Sequence, residues 1–187
     1  MERINFKHSV IFFNLCILIS PFYLMLNFEP IILCLFLILI AIKLNSKDYI
    51  INDTATVEII ENIKLSDNSE YSIVSIIGHW KDNLGSFGSS KCYGSLEKKH
   101  NITLVLDTVC EKESLNGKII TRGGRKNSNI DAGVGFIDII DATNDYLQLL
   151  NLSCKYAVSY FKKHIQYITK CKVEDDIFNK IIQKINK

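Results

Sequence analysis

The chain has 187 residues, 48% of them hydrophobic, and 22 lysines and arginines against 20 acids give a formal net charge of +2 at pH 7. Such a balance removes the bulk electrostatic case for a nucleic-acid polymer as partner. The length suits one apolar terminal segment and a single domain of about 140 residues.

Residues 1–8 form a short basic start, and residues 9–44 read as a two-helix transmembrane hairpin. Val10 to Leu26 is apolar except for Asn14 and Ser20, and Phe28 to Leu44 is apolar except for Glu29 and Lys43. Each run of about 17 residues gives roughly 25 Å of helix, the short end of what spans a bilayer core. In hydrocarbon every backbone amide needs an internal partner, which favours helix. A cleaved signal peptide is the competing reading of the first run. No A-x-A-like site follows, however, and a second apolar run begins almost at once. Arg3, Lys7, Lys43 and Lys47 flank the hairpin, while its turn at Asn27–Glu29 carries no Lys or Arg. The positive-inside bias then predicts a two-pass inner-membrane protein with both termini cytoplasmic and the lipid bilayer as a partner. Asn14, polar within the span, predicts a bond across the hairpin or self-association through it.

Both prolines, Pro21 and Pro30, fall in that hairpin, whereas all nine glycines lie between Gly78 and Gly135. The glycine-rich stretch predicts tight turns between strands. Residues 45–70 read as a connector, in which Thr54–Leu65 suits either a short helix or a strand. Residues 71–187 read as a cytoplasmic α+β domain. Its strands lie within 71–140: around Tyr71–Trp80, Cys92–Leu96, Ile102–Val109, Lys118–Arg122 and Val134–Ile140, with Asn116-Gly117 as a hairpin turn. Five strands, six if the connector joins them, predict a curled antiparallel sheet, either pleckstrin-homology-like or small-barrel-like. After Ile140 the period changes. Tyr146, Leu150, Ser153, Ala157, Phe161, His164, Ile168 and Cys171 recur at three- and four-residue steps, which predicts a long helix over 142–171. A second helix is predicted over 175–186, with an acidic start and an isoleucine stripe, and the two cover the sheet. The lysines of this tail suit a solvated outer face or anionic headgroups.

None of the six cysteines forms a C-x-x-C pair, and a cytoplasmic domain would keep them reduced. In that compartment the sequons at Asn52, Asn101 and Asn151 have no meaning. No zinc-ligand spacing, nucleophile elbow, P-loop lysine or G-x-G-x-x-G occurs, so the reading is a non-enzyme with no metal or cofactor. Two stretches stand out as binding candidates. Thr121–Asn129 places Arg122, Arg125 and Lys126 around Gly123-Gly124, where cations beside a close-approach backbone suit phosphate, or simply solvate a turn. Gly78-His79-Trp80 suggests an indole that plugs one end of a barrel or sits as an ordinary core tryptophan.

The hairpin, followed by Ile77–Ser86 and by Asn101–Thr108, resembles the membrane-anchored β-barrel receptors of bacterial cyclic-oligonucleotide anti-phage systems. The resemblance covers the hairpin and about 40 further residues. It implies a barrel that takes a cyclic nucleotide, an oligomer, and an effector hairpin; Trp80, Arg122, Arg125 and Lys126, singled out above by their own chemistry, are the ligand-binding candidates. The order of elements is also similar to membrane-flanked pleckstrin-homology-like domains, an analogy of fold alone. The expectation is therefore a membrane-anchored ligand-sensing protein. The alternative is a non-enzymatic immunity, exclusion or accessory protein that acts by protein–protein contact in the membrane.

Overall fold

The computed structural model describes residues 46–185. Eight antiparallel strands close into an up-and-down barrel in which each strand pairs with its sequence neighbours and β1 pairs with β8. The strands are β1 (Ser46–Lys64), β2 (Ser69–Asp82), β3 (Phe87–Lys99), β4 (Ile102–Ser114), β5 (Gly117–Asn129), β6 (Ala132–Ala142), β7 (Ser153–Phe161) and β8 (His164–Glu174). A 3-10 turn at Asn144–Leu149 and one helix, α1 (Asp175–Ile185), complete the fold. Eight strands leave an interior that side chains can fill, so the barrel is a packed core and not a pore.

This architecture corrects the expected α+β fold. The segment read as a long helix over 142–171 contains the 3-10 turn and two strands. Its buried residues alternate: Cys154, Tyr156 and Val158 on β7, then Ile165, Tyr167, Thr169, Cys171 and Val173 on β8. A period of two and aromatic or β-branched side chains satisfy a strand, while the same positions also score at helical steps. The intervening turn contains neither Gly nor Pro. Lys162 supplies the left-handed backbone itself, at φ 58°, so no punctuation marked it. The connector read over 45–70 is mostly β1, whose alternation of Tyr49, Ile51, Asp53 and Ala55 inward runs straight through it.

The two-pass inner-membrane placement is corrected as well. Among the described residues no helix is long and apolar enough to cross a membrane. The hairpin over residues 9–44, the start at 1–8 and the apposition through Asn14 lie outside the described residues.

The barrel has two unlike ends. The closed end holds Tyr49, Ile51, Trp80, Ile119, Ile139, Tyr146, Leu149 and Val173. Trp80 meets Tyr146 edge-to-face, with ring centroids 6.2 Å apart. The 3-10 turn and α1 lie over this end: Phe178 and Ile181 of α1 join the same core. Burying each such side chain contributes roughly 1.5–3 kcal/mol. A second cluster, Ala55, Ile76, Ile137, Tyr156, Val158, Ile165 and Tyr167, fills the barrel towards its other end.

Two disulfides pass through this interior. The register puts Cys92 opposite Cys110 and Cys154 opposite Cys171, and both pairs are bonded. The expectation of reduced cysteines is thereby overturned. Cysteines 18 and 17 residues apart become cross-strand neighbours only once the hairpins form, and nothing in their spacing shows it. Bridges of this kind persist where the surroundings are oxidising.

Candidate functional site

The mouth of the barrel is a cavity of about 580 Å³, within the range of small-molecule sites, which often occupy barrel mouths. Val57, Val74, Ile76, Leu96 and Leu106 form its apolar floor and walls. Lys98 enters from β3, Arg125 from β5, Tyr160 from β7, and Lys162 and Lys163 from the β7–β8 turn, against the acids Glu58 and Asp131. Four cations minus two acids leave the lining at +2. Low-dielectric walls around such a surplus focus the field on an entering anion.

Arg125 is the unusual member. Its side chain is 4% exposed and stays on the inner face, because β5 alternates. Nη1 donates to the Asn129 carbonyl at 2.8 Å, and Nη2 donates to the Ile130 carbonyl at 3.1 Å and to Thr103 Oγ1 at 3.5 Å. The guanidinium lies over the Tyr160 ring, 5.3 Å from its centroid. Nε is buried without a hydrogen-bond partner. An unsatisfied donor on a buried cation carries a desolvation cost that an acceptor would recover. The β5–β6 ladder ends at Gly124–Phe136 while the β4–β5 ladder continues to Asn129, so the guanidinium closes onto a splayed hairpin. Gly133 leaves it room: a Cβ there would fall 2.2 Å from Nη1. Burial pushes the Tyr156 phenol up to about 12 and raises that of Tyr160, with the charge of Arg125 opposing both shifts. Both hydroxyls are therefore protonated, neutral donors at pH 7.

Below the mouth, a polar layer crosses the barrel. Lys112, 1% exposed, is ion-paired to Asp53, 0% exposed, and also donates to Tyr167 Oη at 3.2 Å. Tyr167 Oη lies 3.4 Å from Ser90 Oγ. Burial raises the Asp53 carboxyl against the pull of Lys112. For Lys112, burial works downward, but Tyr167 and Asp53 together hold the ammonium above its ordinary range. Lys112 is held by Asp53 and Tyr167, while Asp53 Oδ2 is buried without a hydrogen-bond partner among the described residues. The paired charges make this layer a structural strut of the barrel.

The four candidates from the sequence are not brought together. Arg125 lines the mouth. Arg122 is 62% exposed on the outer face, where Nη2 bonds Asp107 Oδ2 at 2.9 Å. Lys126 is exposed, one strand position beyond Arg125 and on the opposite face. Trp80, 2% exposed, belongs to the closed end. The Gly123-Gly124 pair serves neighbouring strands rather than a ligand. A Cβ at Gly124 would fall 1.7 Å from the Leu106 carbonyl oxygen, and one at Gly123 would fall 2.1 Å from that of Phe136. Sequence reasoning missed Lys98, Tyr160, Lys162 and Lys163. These come from hairpins far apart in the chain, and only barrel closure puts them on one rim. The Lys162-Lys163 pair at a strand end was the single local signal.

A second depression of about 560 Å³ lies on β1–β4, lined by Thr54, Thr56, His79, Lys91, Glu111, Glu113 and His164 among others. Its charges are mixed, and Lys118 bridges Glu111 and Glu113 at 3.4 and 3.3 Å. No surplus of one sign converges there.

Comparison with protein-family models, with curated proteins and with solved structures finds no match.

Proposed function

We propose that the barrel is a ligand-sensing module, not an enzyme, and that its mouth takes an anionic, nucleotide-type ligand. The observation that carries the reading is Arg125, a buried cation with a free Nε donor in a cavity of positive balance. Lys162 and Lys163 sit on the same lining and supply mobile charge for phosphate, Lys98 being held by Glu70 at 3.2 Å, while the Tyr160 ring offers a face for a base. The resemblance to receptors of cyclic-oligonucleotide anti-phage systems narrows the class to a cyclic nucleotide and the pathway to antiviral defence.

The test is calorimetric titration of the purified chain with cyclic di- and trinucleotides, with inorganic phosphate as the control. Arg125→Gln is expected to weaken cyclic-nucleotide binding by at least about tenfold, since a hydrogen bond to a charged group is worth ~1.5–3 kcal/mol. Arg122→Gln, on the outer face, is expected to leave it unchanged. Equal losses for both variants, or no binding by the unaltered chain, would remove the mouth as the site.

A further inference from the structure

The mouth holds two carboxylates that an anionic ligand alone does not explain. Asp131 and Glu58 line the same cavity as Arg125, Lys162 and Lys163. Among the described residues neither acid has an ion-pair partner. Towards a bare anion both would be repulsive. A ligand that brings hydrogen-bond donors as well as phosphate gives them a use, because a carboxylate only accepts.

Asp131 is the better placed of the two, since the turn that carries it is held on several sides. Arg125 donates to the Asn129 carbonyl at 2.8 Å and to the Ile130 carbonyl at 3.1 Å. The Ile130 amide donates to the Asn101 carbonyl at 3.0 Å, and the Asp131 amide to Asn129 Oδ1 at 2.8 Å. The Tyr160 amide donates to the Asp131 carbonyl at 2.8 Å. Asp131 is thereby tied to the residue whose ring lies under the Arg125 guanidinium. Its carboxylate is offered from a fixed backbone beside both the anion site and the ring, which lowers the ordering cost of binding. Glu58 sits on β1 beyond the ladder with β8, which ends at Thr56–His164.

The chemistry of the bases then selects one of them. Guanine presents two donors side by side, N1–H and the N2 amino group, which match the two oxygens of a carboxylate. Adenine and cytosine set a bare ring nitrogen beside their amino group, and uracil and thymine flank one N–H with two carbonyls. Each of these puts a lone pair against the carboxylate. We infer that Asp131 reads the base of the ligand and that this base is guanine, with Arg125 on a phosphate and the Tyr160 ring on the face of the base. The inference rests on the reading of the mouth as a cyclic-nucleotide site and names the nucleotide that it selects.

Calorimetric titration of the full chain with cyclic di-GMP and with cyclic di-AMP tests this, and the readout is the ratio of the two dissociation constants. The unaltered chain is expected to prefer cyclic di-GMP by about tenfold or more, the discrimination that a good bidentate pair supplies. Asp131→Asn is expected to abolish or reverse that preference, because an amide sets its own N–H groups against guanine and suits the donor–acceptor edge of adenine. Removing a negative charge from the mouth strengthens both nucleotides alike and cancels in the ratio. Glu58→Gln, which removes an equal charge, is therefore expected to leave the ratio unchanged. Both positions are solvent-exposed, so circular dichroism of each variant should match the unaltered chain. Equal affinity for the two nucleotides, a preference for cyclic di-AMP, or a ratio that Asp131→Asn leaves unmoved overturns the inference and leaves the mouth a nucleotide site. A ratio shifted equally by Glu58→Gln overturns it too. Binding of neither dinucleotide overturns it as well, and the reading of the mouth falls with it if cyclic trinucleotides also fail to bind.

Discussion

Lys112 and Asp53 form an ion pair at the centre of a barrel where the surrounding side chains are apolar or aromatic, and each is essentially without solvent. Removing water from two ions costs several kcal/mol each, which their attraction offsets only while both are present. Lys112→Met should therefore destabilise the barrel by about 3–5 kcal/mol, because it strands a buried carboxylate. The double change Asp53→Leu with Lys112→Met should recover most of that loss. Urea denaturation of the two variants measures the difference, and equal midpoints would show that the pair does not act as a unit. Arg125 differs from Lys112 in one respect that matters for function: its Nε has no partner inside the protein. The sequence marked Arg125 through its neighbours Gly123 and Gly124, although those glycines serve close strand packing.

At the scale of elements, β7 and β8 show how a true pattern can be read in the wrong period. Ser153, Ala157, Phe161, His164 and Ile168 step helically, yet Cys154, Tyr156 and Val158 are the buried set. The disulfide Cys154–Cys171 ties this hairpin, and Cys92–Cys110 ties β3 to β4. Each closes a short loop and, by restricting the unfolded chain, should contribute ~2–4 kcal/mol. Melting the protein with and without a reductant checks this. The reduced form should unfold at a distinctly lower temperature, and an unchanged midpoint would mean that the bridges are absent or without effect. The β4–β5 hairpin, by contrast, was legible from local residues. Asn116-Gly117 turns the chain there, with Gly117 at φ 128°, a conformation that only the expected glycine adopts without strain. Helix α1 occupies the segment whose acidic start and isoleucine stripe marked it.

For the molecule as a whole, barrel closure gathers phenols and one lysine into a dry interior, and that fixes its pH response. Lys112 has a folded-state value raised above the ordinary 10.5, through Tyr167 and Asp53 against the effect of burial. Burial raises Tyr49, Tyr146, Tyr160 and Tyr167 above the ordinary 10.0. A group raised on folding contributes stability that is full below its unfolded value and is lost as pH rises through the folded one. The melting temperature should therefore fall steeply above about pH 10. Burial also raises the carboxyls of Asp53 and Asp82 above the ordinary carboxylate value, so their contribution is lost as pH rises through their own folded values. The exposed Asp67 and the half-buried Asp48 and Glu70 are lowered, chiefly by hydrogen bonds from Ser69, Lys172 and Lys98 respectively. Their contribution holds above the ordinary carboxylate values and fades in acid. Melting curves from pH 3 to 11 should show a plateau bounded on both sides, and constant stability to pH 11 would contradict the buried-phenol account.

The sequence by itself determined what is local: strand character over Tyr71–Trp80, Ile102–Val109 and Lys118–Arg122, the Asn-Gly turn, and an amphipathic helix at the C-terminal side. It also marked Arg125 as a cation next to chain-bending glycines. Only the tertiary structure decided that the strands number eight and close, and that residues 46–64 form one strand, β1. It also decided that four cysteines pair, and that Arg122 and Lys126 point away from Arg125. The reason is that strand pairing is non-local. A strand's period sets which face each residue takes, but its partner, its register and the ring they complete are settled by contacts between residues far apart in the chain. Residues 46–64 and 153–174 lack glycine and proline altogether, so their local sequence carried too little punctuation to reveal the three strands that close the barrel.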